Sequence, residues 1–151
     1  MDRPEIAFQL MANSKTNCAQ AVLSTHCGLF GLDRKTALEI AQGFGGGMAR
    51  TGQTCGAVTC AYMVIGLSRK IKAENARENV DDSYKLVQEF TRRFKEMHRS
   101  TMCTELVGYN LAVPEELAAA RREGAFTGVC ANLVRDAANI MDALLDLQPT
   151  G

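Results

Sequence analysis

The chain reads as an all-α protein, a compact bundle of five to seven helices around one buried central helix at about residues 55–67. Three observations predict this. Apolar residues recur at spacings of three and four along most of the chain, and alternating valine-rich segments joined by Asn-Gly or Asp-Gly turns are absent. Only three prolines interrupt 151 residues. No charge occurs between Arg50 and Arg69, and residues 55–67 are almost entirely small or apolar, the pattern of a helix buried on every face. That run is well short of a membrane span.

Each element has a local reason. Ser14 is placed to cap a helix from about Lys15 to Phe30, ended by Gly31, with Cys18, Val22, Thr25 and Leu29 on one stripe. Asp33 caps a shorter helix through Leu38, Ala41 and Phe44, which the glycines from Gly43 terminate. Thr54 stands as N-cap of the central helix, which puts Cys55 in its first turn. A charged surface segment follows at residues 68–79. Val80, Tyr84, Val87, Phe90, Phe94 and Met97 then step by four, three, three, four and three, specifying an amphipathic helix of about five turns. Ser100 reads as the N-cap of a helix carrying Cys103, with Glu105 near its start. Pro114 opens another helix at its favoured first position, with Glu115 and Glu116 on the positive end of the dipole. The last helix runs from about Thr127 to Leu147 and buries Val129, Leu133, Ala137, Ile140 and Leu144. No repeat or linker divides the chain, so residues 1–151 form one domain.

Composition narrows the function classes. Apolar residues at 46% and charged residues at 23% are ordinary for a soluble globular domain. Seventeen basic and seventeen acidic residues cancel, which leaves no basic excess for nucleic acid or an anionic membrane. Arg92, Arg93, Lys95 and Arg99 read as a solvated helix face. The first residues lack a basic n-region and an apolar h-region, which predicts a cytoplasmic protein. In that compartment six cysteines are metal-binding, catalytic or simply buried more often than they are structural disulfides.

Four cysteines occupy similar local contexts: Cys18 after Ser14, Cys55 after Thr54, Cys103 after Ser100 and Cys130 after Thr127. Each would lie near the start of a helix, where free N–H groups and the dipole stabilise a thiolate. Cysteine is also a small hydrophobe, so four core residues would give the same spacing. Cys55 is the expected activated thiol, since Gly52 and Gly56 leave little bulk around its sulfur. Gly45, Gly46, Gly47 and Gly56 would let backbone approach a cofactor or a neighbouring helix closely. A phosphate cradle is a poor fit, because neither a preceding strand nor a terminal Gly-Lys-Ser/Thr is present. His26 and His98 read as structural before they read as nitrogen ligands, the other role open to either, and Cys27 reads as core.

Asn17-Cys18-Ala-Gln-Ala-Val22, then Gly45-Gly-Gly47, Cys55-Gly-Ala57, Cys103 with Glu105-Leu106, and Cys130 together resemble a bacterial family of redox-active proteins. That family is named for its C, GCAxxG, C, C pattern, and the likeness spans roughly residues 5–145. It implies redox activity through Cys18, Cys55, Cys103 and Cys130, as catalytic thiols or as ligands of an iron–sulfur cluster or other metal. It also implies an electron-transfer or oxidoreductase partner, with a homodimer as a compatible assembly and no membrane or nucleic-acid partner. The chain departs from the pattern where Cys60 replaces a glycine five residues after Cys55. Cys60 reads as a packing substitution or an added thiol. Two classes of function follow: a redox or metal-cofactor protein, and a helical binding or accessory module with structural cysteines or a four-cysteine structural zinc site. No Ser/His/Asp arrangement, His-Glu-x-x-His or dinucleotide fingerprint assigns an enzyme class.

Overall fold

A computed structural model describes residues 1–149. Among the described residues there are eight helices and no strand: α1 Arg3–Ala12, α2 Cys18–His26, α3 Arg34–Ala41, α4 Gly56–Ser68, α5 Ala76–His98, α6 Cys103–Val107, α7 Pro114–Arg122 and α8 Val129–Leu144. The all-α architecture is as predicted. The eighth helix is α1, in a stretch to which the sequence reading gave no element. Asp2 accepts from the Glu5 N–H as its N-cap, and Pro4 sits in its first turn.

The central position belongs to α4. Gly56, Ala57, Val58, Cys60, Ala61, Val64 and Ile65 are buried, and Gly66 is its one exposed residue. It packs along α2, α5 and α8, while α1 lies along α8 and α2. Residues without charge on any face can be enclosed this way, because no side chain needs water. On α5, Phe90 and Phe94 stack with centroids 5.9 Å apart, and Tyr62 of α4 meets Phe90 edge-on at 6.0 Å.

The stripe expected on α5 is buried over only part of its length. Val80, Tyr84 and Met97 are exposed, and apolar burial begins at Leu86. A helix of 23 residues is roughly 34 Å long, which outruns the bundle it packs on. Leu29 and Val129 are likewise exposed. Leu29 lies in a 3-10 turn, Cys27–Phe30, where the α spacing no longer applies.

Both histidines are structural in their contacts. His26 is fully buried, with Nδ1 3.0 Å from the Val22 carbonyl and Nε2 3.0 Å from Asp142 Oδ1. The same carboxylate holds the buried Arg3 at 3.2 Å, tying α1, α2 and α8 together. His98 lies against the Phe94 ring at 4.7 Å, its Nε2 3.0 Å from Asp136 Oδ2 but outside hydrogen-bond alignment. Arg92 and Arg93 pair with Glu89 on the outer face of α5. No helix among the described residues is long and apolar enough to cross a membrane.

Candidate functional site

Cys18 stands at the first position of α2, and the cap before it is Asn17 rather than Ser14. Asn17 Oδ1 accepts from the Gln20 N–H at 2.9 Å, and Gln20 Oε1 accepts from the Asn17 N–H at 3.1 Å, a complete capping box. Ser14 has φ 55 and belongs to the preceding turn. Asn17 Nδ2 also donates to the Gln42 carbonyl, which docks the start of α2 onto the segment entering the glycine stretch.

That stretch folds unusually. Gly46, Gly47, Met48, Ala49 and Arg50 all have positive φ, between 56 and 69, and form a left-handed turn. Two glycines adopt this region freely, whereas the three L-residues after them are each strained by about 1–2 kcal/mol. The turn is held by N–H donation from Arg50 to the Gly45 carbonyl, from Gly52 to Gly46 and from Gln53 to Gly47. It packs tightly on the cysteine-bearing elements. A Cβ on Gly45 would lie 2.6 Å from Asn17 Nδ2, and one on Gly47 would lie 2.5 Å from Cys103 Cβ. A Cβ on Gly56 would lie 2.8 Å from Cys18 Sγ. The close approaches expected of Gly45, Gly47 and Gly56 therefore include side chains that carry or cap the site.

Cys55 is itself the N-cap residue of α4, one position earlier than the Thr54 cap implied. Thr54 instead pairs with Met102 in an isolated β-bridge. Around that bridge the Cys55 N–H donates to the Thr101 carbonyl at 2.8 Å, and the Cys103 N–H donates to the Gln53 carbonyl at 2.7 Å. This clip brings Cys55 and Cys103 to one place despite their separation in sequence. The cap of α6 is Met102, while Ser100 Oγ accepts from the Met102 N–H and donates to Glu105. The cap of α8 is Gly128, so Cys130 occupies its second position, and Thr127 bonds back to the Gly124 carbonyl.

Cys18, Cys55, Cys103 and Cys130 are buried and line one cavity of about 580 Å³. Gly45 and Gly46 are on its wall, Val107, Leu111 and Phe126 form its apolar side, and Arg50 and Arg121 stand at its exposed rim. Cys27 and Cys60 do not line it. Cys27 donates to the Ser24 carbonyl, and Cys60 is fully enclosed with its sulfur 3.9 Å from Met63 Sδ. Both sit where a small apolar side chain would.

The four thiols differ electrostatically. A hydrogen bond from the Cys55 thiol and N–H groups of Gly46, Ala19 and Gly56 bring the Cys18 pKa down to about 6, against the opposing effect of burial. Cys55 is pushed well above the ordinary cysteine range by its hydrogen bond to Cys18, then by burial and by the Cys18 charge. The thiolate-favouring contacts thus fall on Cys18, not on Cys55 as the glycine-loop argument expected. Cys55 keeps the Ala57 N–H as its one thiolate-favouring backbone contact, which the larger opposing effects outweigh. Burial raises Cys103 to about 11, and raises Cys60 and Cys130 to about 12, with the Cys18 charge adding to each.

A scan against protein-family models matches the chain over residues 16–144 to the family described as "Putative redox-active protein (C_GCAxxG_C_C)". The chain belongs to that family. As a C_GCAxxG_C_C protein it carries the four pattern cysteines on one cavity wall and keeps its two additional cysteines outside it. Neither the curated proteins nor the solved structures give a significant match to the chain.

Four thiols match, in type and number, the donors an iron–sulfur cluster takes. They are not drawn together around one point: no three Cys, His, Asp or Glu side chains among the described residues are grouped so as to hold a metal ion. A closed mononuclear zinc site of four cysteines is therefore not assembled in this conformation. Sequence reasoning missed Asn17, Thr16, Arg50 and Arg121 as parts of the cavity. Asn17 had a readable signal in the Asn-x-x-Gln capping box. Arg50 had one as the sole charge between Glu39 and Arg69.

Proposed function

We propose that this protein is a dithiol redox protein in which Cys18 and Cys55 cycle between two thiols and a disulfide. The observation that carries the reading is that Cys18 and Cys55 line the same cavity, with the Cys18 sulfur 2.8 Å from where a Cβ on Gly56, the residue after Cys55, would lie. The Cys55 thiol is also the main influence that lowers the Cys18 pKa. A thiolate is the nucleophile in such exchange, and Cys18 is the sulfur whose surroundings favour it.

The chemistry runs in two displacements. Cys18 thiolate attacks one sulfur of an oxidised disulfide, forming a mixed disulfide and releasing one thiolate, which takes up a proton. Cys55 loses its proton and attacks Cys18 Sγ, closing the Cys18–Cys55 bond and releasing the second thiolate. Two electrons pass from the protein to the substrate. Of the two protons the product thiols take up, one is that released by Cys55 and the other comes from solvent, since Cys18 enters as a thiolate. An oxidoreductase partner that supplies two electrons and two protons restores the dithiol. Cys103 and Cys130, held as thiols by burial, line the same space and keep it apolar and small-walled.

The test is mass spectrometric. Oxidation of the reduced protein by a small disulfide is expected to yield a peptide pair joined through Cys18 and Cys55, and Cys18→Ser or Cys55→Ser to abolish it. Cys103→Ser is expected to leave it intact. Oxidised protein without that linkage overturns the reading.

A second reading rests on the sharing of one cavity by all four thiols, with Gly45 and Gly46 on its wall. In it Cys18, Cys55, Cys103 and Cys130 would together hold an iron–sulfur cluster, which supplies one-electron transfer when bound. Visible absorption and stoichiometric iron in anaerobically purified protein, lost in Cys130→Ser, would favour it over the dithiol.

A further inference from the structure

The rim of the cysteine cavity has a chemistry of its own. Arg50 and Arg121 line it, and neither guanidinium has an ion-pair or hydrogen-bond partner among the described residues. No Asp or Glu lines the cavity. The carboxylates that other arginines reach, Asp142 for Arg3, Glu89 for Arg92 and Arg93, and Glu5 for Arg135, all lie outside the cavity. Thr16 is on the cavity wall, but its hydroxyl is enclosed in the protein and does not face the open volume.

Shape agrees with the charge. A volume of about 580 Å³ lies within the range of small-molecule sites. Arg50 is also the last residue of the left-handed turn, with φ 66. The strained backbone therefore fixes the start of a cationic side chain beside the opening rather than letting it drift over the surface.

We infer that the cavity is a binding site for a small organic anion, and, given the dithiol reading on which this part rests, that its substrate is a carboxylate-bearing low-molecular-weight disulfide. The two guanidiniums engage the carboxylates at the rim. The disulfide reaches inward to Cys18. The electron count is that of the two displacements above, the disulfide substrate leaving as two thiols.

Three disulfides of different charge test this: dithiodipropionate with two carboxylates, neutral hydroxyethyl disulfide, and dicationic cystamine. Each rate of Cys18–Cys55 oxidation is normalised to the rate at which the same disulfide oxidises free dithiothreitol. The expected result is a preference of about tenfold or more for dithiodipropionate over the neutral compound, with cystamine slowest, weakening with added salt. The doubly substituted Arg50→Gln, Arg121→Gln protein is expected to lose that order while still forming the linkage. Equal normalised rates in the wild type, or the same preference in the substituted protein, overturn the anion site and leave the dithiol reading standing. Failure of all three to form the linkage overturns the dithiol reading, and the substrate assignment with it.

Discussion

Replacing Cys55 with alanine removes the largest contribution to the low pKa of Cys18, the hydrogen bond from the Cys55 thiol. Two opposed effects remain: burial, which raises the value, and the N–H groups of Gly46, Ala19 and Gly56, which lower it. The midpoint is therefore expected to climb from about 6 toward the ordinary 9.0. At neutral pH the lower value leaves about ten thiolates per thiol and the higher about one thiolate per hundred, a fall of roughly 90-fold in thiolate population. The rate of attack on a small disulfide falls much less, because a more basic thiolate is a better nucleophile. A Brønsted slope of about 0.4–0.5 over about three pK units returns roughly 15–30-fold, so the net slowing is only about 3–6-fold. Ultraviolet thiolate absorbance against pH reads the population, and mixed-disulfide formation at Cys18 reads the rate. Stability carries the same signature. The folded pKa of Cys18 is depressed, so its thiolate contribution is complete above the ordinary 9.0 and is lost as pH falls through about 6. Reduced wild-type protein should gain stability between those two values relative to Cys18→Ala, and that gain should shrink in the Cys55→Ala background. A Cys18 midpoint that stays near 6 without Cys55 would refute the paired origin of the thiolate.

Other parts of the site and the fold can be probed in the same way. Ala49→Gly relieves a left-handed residue strained by about 1–2 kcal/mol and adds about 0.5–1 kcal/mol of glycine entropy, so denaturant unfolding should show a small net stabilisation. Gly56→Ala would place a methyl 2.7 Å from the Phe44 carbonyl oxygen and 2.8 Å from Cys18 Sγ, neither of which is a flexible side-chain end. It should cost about 1–3 kcal/mol and shift the Cys18 titration upward, whereas an unchanged titration would place the sulfur elsewhere. Asp142→Ala strands Arg3 and His26, both buried, and thermal unfolding should report a loss of roughly 3–5 kcal/mol. Cys60→Ala, at a thiol pushed up to about 12 and outside the cavity, should leave Cys18–Cys55 linkage formation unchanged.

The fold was legible because its information is periodic. An uncharged stretch of residues 55–67 has no face to offer water, so it became the centre, and Asp33 and Pro114 began the helices they were expected to begin. Periodicity says nothing about how far a helix overruns its neighbours, so the exposed Val80 and Tyr84 could not be told from the buried Phe90 and Phe94. Caps were less legible. Ser14, Thr54, Ser100 and Thr127 are all plausible N-cap residues, yet Asn17, Cys55, Met102 and Gly128 hold those positions. At three of the four the cap makes no side-chain hydrogen bond: Met102 and Gly128 carry no side-chain oxygen, and at Met102 the Gln53 and Gly52 carbonyls take the N–H groups of Cys103 and Thr104.

That displacement of the caps decides which sulfur is activated. As the N-cap residue, Cys55 gives its own N–H to Thr101 and keeps the Ala57 N–H at its sulfur, while the Gly56 N–H favours the Cys18 thiolate. Cys18 collects donors from three segments: Ala19 from α2, Gly56 from α4 and Gly46 from the left-handed turn. A helix start supplies donors only to what lies in front of it, and the identity of that neighbour is a tertiary fact. Order and spacing of the cysteines named the residues that would share a cavity, but the division of labour between Cys18 and Cys55 depends on the turn at Gly46–Arg50. The same turn carries Arg50 to the rim, so the strain in its three L-residues sits between the thiol pair and the charge that would select its substrate.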